Sequence, residues 1–166
     1  MLYEGEQQIT VTQNDVRQIQ LAKAALYAGV KLLMDKAQVT SVDKIRLAGA
    51  FGSHIDSKYA MTLGLIPDCK LEQVGSAGNA AGTGARIALL NVQARREIES
   101  VVRSIEKIET AMEPKFQEYF VDAMAFPHKT DDFTELFKVV TRPPAKTAPQ
   151  GSAAEGKRRR RKRAVR

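Results

Sequence analysis

The spacing of apolar residues predicts a long helix near the start of the chain. Apolar side chains recur there at steps of three and four residues, which places them on one face of an α-helix. These positions are Ile19, Ala22, Leu26, Val30, Leu33 and Ala37. The Thr12 hydroxyl can accept from an early backbone N–H, and Asp15 favours the positive end of the helix dipole. We therefore predict a helix over residues 12–37 whose apolar stripe faces the core.

Shorter apolar segments downstream predict two buried strands with a helix between them. Residues 45–48 are apolar apart from Arg46 and are followed by glycine, as is typical of a buried strand in a parallel sheet. Residues 71–74 form the second predicted strand. Between the strands, Asp56 can cap a helix over residues 57–63, and Gly64 suits the left-handed residue that ends it. The order of helices and strands indicates the α/β class.

The segments after the second strand predict mainly helices. The small residues 75–84 lead into a helix reaching about Asn91, and residues 94–104 continue as a charged helix. Three apolar residues of that charged helix are expected to face inward, namely Ile98, Val101 and Val102. Residues 113–125 form an amphipathic aromatic helix. Residues 8–11 and 105–110 are weaker strand candidates, and because two-stranded sheets are marginal alone, we expect further strands upstream of Met1.

Charge divides the chain at about residue 141. Residues 141–166 hold ten cations and one acid, a net charge of +9, whereas residues 1–140 hold 16 basic and 18 acidic residues, a net charge of −2. The Pro, Ala, Lys, Gly and Ser composition of the second region predicts disorder. We expect one domain over 1–140 and a disordered basic tail over 141–166. The tail either binds polyanions with steep salt dependence or is a solvated extension.

Composition excludes several classes of protein. No run of 18 apolar residues and no secretory signal occurs, so we expect a cytoplasmic protein without a membrane span. Cys69 is the only cysteine, which excludes an internal disulfide. With His54 and His128 alone beside it, no ligand set for zinc or an iron-sulfur cluster exists, and no metal site is predicted.

A strand that ends in glycine suggests a nucleotide site. Gly49 and Gly52 lack the Cβ that would block a phosphate or purine beyond the strand end. The alternative is that these glycines only permit a tight turn from strand to helix. Neither a Walker motif nor the spacing of a Rossmann fingerprint is present, because Gly78, Gly82 and Gly84 are misspaced for GxGxxG.

Individual candidates also have structural interpretations. Lys23 either contacts a nucleoside or is a solvated helix lysine, and Phe51 either stacks on a base or fills the core. Asn79 and Asp56 are interpreted as helix caps rather than as a phosphate ligand and a base. His54 has no second ligand beside it, so no metal or catalytic role is assigned to it.

Three elements in order resemble the second lobe of the actin, sugar kinase and Hsp70 ATPase superfamily. They are Gln20-Leu21-Ala22-Lys23, Leu47-Ala48-Gly49-Ala50-Phe51-Gly52 and Gly82-Thr83-Gly84-Ala85-Arg86-Ile87-Ala88-Leu89. The resemblance implies a partial ribonuclease-H-like lobe, an α/β fold with a short, mostly parallel sheet and packed helices. It also implies ATP or ADP, with Mg, at Gln20, Lys23, Gly49, Ala50, Phe51, Gly52, Gly82 and Gly84.

Longer segments resemble one family more closely. "DVRQIQLAKAALYAGVKLLM", "KIRLAGAFGSHID", "LGLIPDCKLEQVGSAGNAAGTGARIALL" and "FQEYFVDAMAFPH" are similar to the C-terminal ATPase domain of the reductive activators of corrinoid proteins. The resemblance covers about residues 9–128. It implies the nucleotide-binding lobe of a ferredoxin-like, ATP-dependent activator, with a corrinoid protein as partner.

The chain lacks several parts that the resemblance implies. The family's [2Fe-2S] domain needs four cysteine ligands, so with Cys69 alone no cluster is expected on this chain. The first lobe, with its catalytic carboxylate, is also absent, so no catalytic residue is assigned and enzymatic activity is left open. The missing N-terminal portion is an expected partner, and a homodimer is compatible with the sequence. The alternative function is a degenerate, non-enzymatic scaffold whose basic tail binds polyanions.

Overall fold

The computed structural model describes residues 9–142, which fold into six α-helices around a two-stranded sheet. The α-helices and strands are α1 (Gln13–Ala37), β1 (Ile45–Ala48), α2 (Gly49–His54), α3 (Ser57–Leu63), β2 (Val74–Gly78), α4 (Ala80–Leu90), α5 (Val92–Ser104) and α6 (Phe116–Asp122). Short 3-10 turns cover Leu71–Gln73, Thr110–Met112 and Leu136–Lys138. The α/β class is confirmed. The predicted disorder of the basic tail falls almost wholly on residues 143–166, outside the described residues.

Helix α1 begins and ends as its sequence predicts. The Thr12 hydroxyl accepts from the Asp15 backbone N–H, and the Asp15 carboxylate accepts in return from the Thr12 backbone N–H at 2.8 Å. This reciprocal pair satisfies two donors that the first helical turn leaves free. The helix ends at Gln38, whose backbone is left-handed with φ of 55°.

The buried face of α1 is not the predicted one. Ile19, Leu26 and Leu33 are 43%, 52% and 59% exposed. The buried positions are Lys23, Ala24, Tyr27, Ala28, Leu32 and Met34. Apolar spacing identifies the most apolar face of a helix, but burial depends on which elements pack against it. The prediction was wrong because α6 and the segment after it pack on the neighbouring face of α1.

Strands β1 and β2 pair in parallel, with Ile45 opposite Val74 and Ala48 opposite Gly78. The bounds of β1 are confirmed, and Ile45, Leu47 and Val74 pack on the core. Arg46 and Ala48 are exposed, so the prediction that the whole strand is buried was wrong.

The second strand starts later than predicted. Residues Leu71–Gln73 form a 3-10 turn, and β2 runs through the small residues that follow Val74. Small residues have low strand propensity, but backbone pairing with β1 determines the strand here.

Other predictions vary in outcome. Helix α3 has its predicted bounds, with the Asp56 carboxylate accepting from the Tyr59 backbone N–H and Gly64 left-handed at its end. The turn expected at Gly49 to Gly52 is instead the beginning of a helix, α2, which spans Gly49–His54. Residues 105–109 form no strand, and α6 is shorter than predicted. Of the strand candidate at residues 8–11, Ile9 forms an isolated bridge, and Gln8 lies outside the described part of the chain.

The core lies between α1, α3, the sheet and the segment that ends the described chain. Its buried members are Ala24, Tyr27, Ala60, Met61, Ile66, Cys69, Val74, Ala123, Phe133 and Leu136. Helices α4 and α5 contribute no buried residue to it. The prediction that Ile98, Val101 and Val102 face inward was therefore wrong for the described residues, in which they are 39%, 53% and 60% exposed.

Candidate functional site

The two parallel strands end at the same edge of the sheet, and a helix begins after each of them. Helix α2 starts at Gly49 directly after β1, and α4 starts at Ala80 two residues after the end of β2. Ala48 and Gly78 are partners in the sheet, which places both helix starts side by side. In α/β sheets this edge is where ligands bind. We call it the strand-end edge.

Hydroxyl groups tie α2 to β2 at the strand-end edge. The Ser53 hydroxyl donates to the Gly49 carbonyl at 2.8 Å, and the Ser76 hydroxyl lies 3.5 Å from that of Ser53. The Ser76 hydroxyl also accepts from the Gly78 backbone N–H at 3.0 Å. The first turn of α2 has no side-chain cap, because Ala48 occupies the cap position.

The glycines of the predicted site divide into two groups by what surrounds them. A Cβ at Gly52 would lie 2.9 Å from the Leu47 carbonyl carbon, and one at Gly82 would lie 2.7 Å from the Asn79 side-chain nitrogen. These two glycines are explained by the chain's own packing. By contrast, a Cβ at Gly49 or Gly84 would meet no atom within 4 Å, so the space beside these two glycines is open.

Gly49 also has a backbone reason to be glycine. Its φ is +89°, in the left-handed region that side chains disfavour. The tight-turn interpretation therefore accounts for this position without a ligand. Gly84 is in an ordinary helical position, and neither packing nor backbone conformation requires glycine there.

The start of α4 borders an open cavity of about 460 Å³. It is lined by Asn79, Gly82, Thr83 and Arg86. The Asn79 side-chain oxygen accepts from the Gly82 backbone N–H at 2.9 Å, which confirms Asn79 as a cap. Thr83 and Arg86 add a hydroxyl and a cation to the cavity. Each lies four residues after another lining residue, Thr83 after Asn79 and Arg86 after Gly82, and this helical spacing could have identified both in the sequence.

Phe51 lies at the strand-end edge with its side chain in solvent. The residue is 78% exposed, so the alternative that it fills the core is wrong. A phenyl ring this exposed is free to stack on a flat ligand. His54, the last residue of α2, is also exposed.

Gln20 and Lys23 lie together on α1, and their polar groups bind the chain itself. The Gln20 side-chain amide donates to the Met124 carbonyl at 2.9 Å. The Lys23 ammonium donates to the carbonyls of Ala125 and Pro127, the latter at 2.7 Å. Neither residue lines the cavity at the start of α4. Their contact with a nucleoside stays a prediction.

Lys23 is a fully buried lysine. Its exposed fraction is 0%, so the alternative of a solvated helix lysine is wrong. The ammonium lies 4.9 Å from the centre of the Phe126 ring, which adds a cation–π contact. Burial lowers the pKa of Lys23 to about 8, because the charged form has lost its hydration.

A second, partly buried polar cluster lies further along α1. The Tyr27 hydroxyl donates to the Asp131 carboxylate at 2.9 Å, and the Lys31 ammonium lies 3.0 Å from the same carboxylate. Burial would raise the pKa of Asp131, but hydrogen bonds from Lys31 and Tyr27 together hold it below its usual value. Burial also raises the pKa of Tyr27.

His128 closes this cluster against the Tyr27 ring, at 4.7 Å between ring centres. Its Nδ1 accepts from the Asp131 backbone N–H at 2.9 Å, and its Nε2 is buried without a hydrogen-bond partner among the described residues. Burial lowers the pKa of His128, so the neutral form is favoured. The cluster is thus a structural anchor for the segment after α6.

Within residues 9–142, the helices are all too short or too polar to cross a bilayer. The longest of them, α1, carries Lys23, Lys31, Asp35 and Lys36 among its charged residues.

Comparison with known proteins identifies similar sequences and a similar fold. A family model described as the C-terminal domain of RACo, the ASKHA domain, matches residues 2–138. The corrinoid activation enzyme RamQ of Eubacterium limosum is 41% identical over 115 residues, covering 68% of this chain and 19% of RamQ. A solved structure titled reductive activator for corrinoid, iron-sulfur protein is 32% identical with a TM-score of 0.63, covering 71% of this chain and 19% of that one. This chain therefore spans about a fifth of the length of either relative.

Proposed function

Because this chain belongs to the family described as the C-terminal ASKHA domain of RACo, we propose that it is the nucleotide-binding lobe of an ATP-dependent reductive activator of corrinoid proteins. The names of its two relatives support this role, since one is a corrinoid activation enzyme and the other a reductive activator. A corrinoid protein is accordingly the proposed partner. In this proposal, nucleotide binding favours a closed state of the two lobes and so alters how the corrinoid protein docks.

The observation that carries the proposal is the bare main chain at the strand-end edge. A Cβ at Gly49 or Gly84 would enter open space, so a purine or a phosphate can approach the backbone at both positions. The exposed Phe51 ring is available to stack on a base. Gly49, Ala50 and Phe51 would contact the nucleoside. Gly52 is buried against Leu47, and Gly82 and Gly84 lie on different faces of α4 because they are two residues apart, so these three glycines cannot all contact it.

Gln20 and Lys23 complete the proposed nucleoside contacts only if the chain rearranges. Lys23 is fully buried by the segment after α6, and its ammonium already donates to two carbonyls. A nucleoside can reach it only when residues 124–127 move away. We therefore give Gly49–Phe51 and Gly84 the main part in binding.

The remaining parts of the activator must lie outside residues 1–166. One cysteine cannot supply the four thiolates of a [2Fe-2S] cluster, so electron transfer belongs to another domain or polypeptide. No residue of this chain is proposed to be catalytic. The nucleotide carries Mg in this proposal, and hydrolysis requires the first lobe.

A hybrid protein provides the test, because it supplies the other lobe. In full-length RamQ, the matched 115-residue segment is replaced by the corresponding residues of this chain, and MgADP is titrated by calorimetry. Gly84→Val should abolish ADP binding, because its side chain would project into the space that the nucleotide needs. Gly29→Val is the matched control, since a Cβ at this glycine of α1 also meets no atom within 4 Å.

Unchanged ADP affinity in the Gly84→Val hybrid would remove the nucleotide from the strand-end edge. Gly49→Val should abolish binding too, but its positive φ strains any side chain and makes it the less specific variant. Loss of binding in both Gly84→Val and Gly29→Val would indicate damage to the fold.

A further inference from the structure

One face of α1 is occupied by the segment that follows α6. Polar side chains at residues 20, 23, 27 and 31 are spaced by three or four residues, so they lie along one face of the helix. Each of them binds the same short segment, residues 124–131. We call residues 124–131 the clasp.

The C-terminal end of the clasp is its anchor on α1. The Asp131 carboxylate accepts from the Tyr27 hydroxyl at 2.9 Å, and the Lys31 ammonium lies 3.0 Å from the same carboxylate. The proposed function gives none of these three residues a contact with the nucleotide. The anchor can therefore be weakened without changing any proposed nucleotide contact.

The N-terminal end of the clasp binds α1 through backbone carbonyls instead. The Gln20 amide donates to the Met124 carbonyl at 2.9 Å, and the Lys23 ammonium donates to the carbonyls of Ala125 and Pro127. The hydroxyl oxygens and ring nitrogens of a nucleoside are acceptors too, so the clasp and a nucleoside would compete for the same donors. Because Lys23 is 0% exposed, a nucleoside cannot reach its ammonium while the clasp is closed.

The closed clasp leaves one polar group unsatisfied and depends on one close contact. His128 Nε2 is buried without a hydrogen-bond partner among residues 9–142, and opening the clasp would return this nitrogen to water. The Pro127 carbonyl fits against the end of α3 only because residue 64 is glycine, since a Cβ there would lie 2.0 Å from its oxygen. Closure therefore depends on a few specific contacts, each of which can be removed singly.

We propose that the clasp is an autoinhibitory contact, whose carbonyls hold the Gln20 and Lys23 donors while it is closed, so that the nucleotide binds fully only when the clasp opens. This inference rests on the proposed function, which gives both side chains to the nucleoside. The apparent ADP affinity is reduced by the fraction of molecules in which the clasp is open. Conversely, bound ADP favours the open clasp, because a ligand shifts the population toward the state that it binds better.

Two substitutions that loosen the clasp provide the test. They are made in the RamQ hybrid with its insert extended to residues 2–138, the range that the family model matches, so that α1 and the clasp both come from this chain. Tyr27→Phe removes the hydroxyl that binds Asp131, and Gly64→Ala places a methyl against the Pro127 carbonyl. Each should lower the melting temperature and yet tighten MgADP binding in calorimetry by about threefold or more.

Thr12→Ala is the matched control. It removes the hydroxyl that caps α1 and so also lowers stability, but the Thr12 side chain bonds with Asp15, outside the clasp. The ADP affinity of this variant should equal that of the unsubstituted hybrid. Hydrogen exchange of residues 124–131, followed by mass spectrometry, provides a second measurement and should be faster with ADP bound than without it.

Three results would overturn the autoinhibitory clasp while leaving the nucleotide site in place. The first is a hybrid that binds ADP no more tightly with either Tyr27→Phe or Gly64→Ala. The second is equal tightening by Thr12→Ala, and the third is exchange of residues 124–131 that bound ADP leaves unchanged or slows. If no variant binds ADP, the nucleotide proposal fails and the clasp fails with it. If Gly64→Ala does not fold, Tyr27→Phe alone decides the result.

Discussion

At the scale of single residues, Lys23 has the most unusual environment in the described chain. An ammonium group loses its hydration on burial, and this loss is expensive unless hydrogen bonds replace the water. Two carbonyls of the segment after α6 provide that replacement, and the Phe126 ring lies nearby. Gln20, one turn earlier on α1, binds the carbonyl of Met124 in the same way. These side chains therefore hold the segment after α6 against α1.

The pH dependence of stability should reveal the buried ammonium of Lys23. Its folded-state pKa is lowered from 10.5 to about 8, so the unfolded chain binds the proton more tightly. Between about pH 8 and pH 10, the free energy of unfolding of the wild type should therefore rise relative to that of Lys23→Met. The full shift corresponds to about 3 kcal/mol. Urea unfolding of both proteins at several pH values measures the difference.

If the free energies of unfolding of the wild type and of Lys23→Met change in parallel from pH 7 to pH 10, Lys23 titrates normally and is not desolvated. The comparison is confined to values below about pH 10, because the pKa of Tyr27 is raised by burial and its ionisation destabilises the fold at higher pH.

At the scale of elements, the end of α3 determines how closely the segment after α6 can approach. Gly64 ends α3 with φ of +72°, and a Cβ on it would lie 2.0 Å from the Pro127 carbonyl oxygen. That same carbonyl accepts from Lys23, whose Nζ would be 3.0 Å from the added Cβ. The helix end, the lysine and the proline segment thus meet at one point.

Opposite effects on stability are expected for alanine at two glycines. Gly64→Ala should lower the free energy of unfolding by more than about 1 kcal/mol, because its Cβ would overlap a backbone carbonyl at a left-handed position. Gly29→Ala should raise it by up to about 1 kcal/mol, because Gly29 is inside α1 and its Cβ position is empty. Chemical denaturation measures both, and a neutral Gly64→Ala would contradict the close contact with Pro127.

At the scale of the whole molecule, charge and apolar exposure are distributed unevenly. Residues 1–140 have a net charge of −2, while the last ten residues contain eight cations. Apolar exposure is concentrated on α4 and α5 and on the outer side of α1, where Ile19, Leu26 and Leu33 are spaced by seven residues. The described part of the chain thus has apolar surfaces suited to a protein partner, and the net positive charge is confined to residues 141–166.

Deleting residues 157–166 should abolish binding to heparin. The deletion removes eight cations and changes the formal net charge from +7 to −1. Cations that contact a polyanion release its bound counterions, and this release drives binding. A matched control deletes residues 143–152, which are also ten in number but contain a single cation, Lys146. Elution from heparin over a salt gradient measures the effect. Retention that survives the first deletion would place polyanion binding within residues 1–156.

By itself, the sequence determined the local structure of this protein. Several local features depend on neighbouring residues, whose conformational preferences act over a few positions. They are the helix caps at Thr12, Asp56 and Asn79, the end of α3 at Gly64 and the bounds of β1. The family was also evident in runs of small residues, which the comparison confirmed.

Only the tertiary structure decided which faces are buried and what the polar side chains bind. Apolar periodicity predicted burial for the outer side of α1 and for α5, but burial depends on which elements pack there, and the described residues leave both exposed. The partners of Gln20 and Lys23 lie about a hundred residues away in the chain, so no local pattern could identify them. The same holds for the strand-end edge, because the starts of α2 and α4 become neighbours only when β1 and β2 pair.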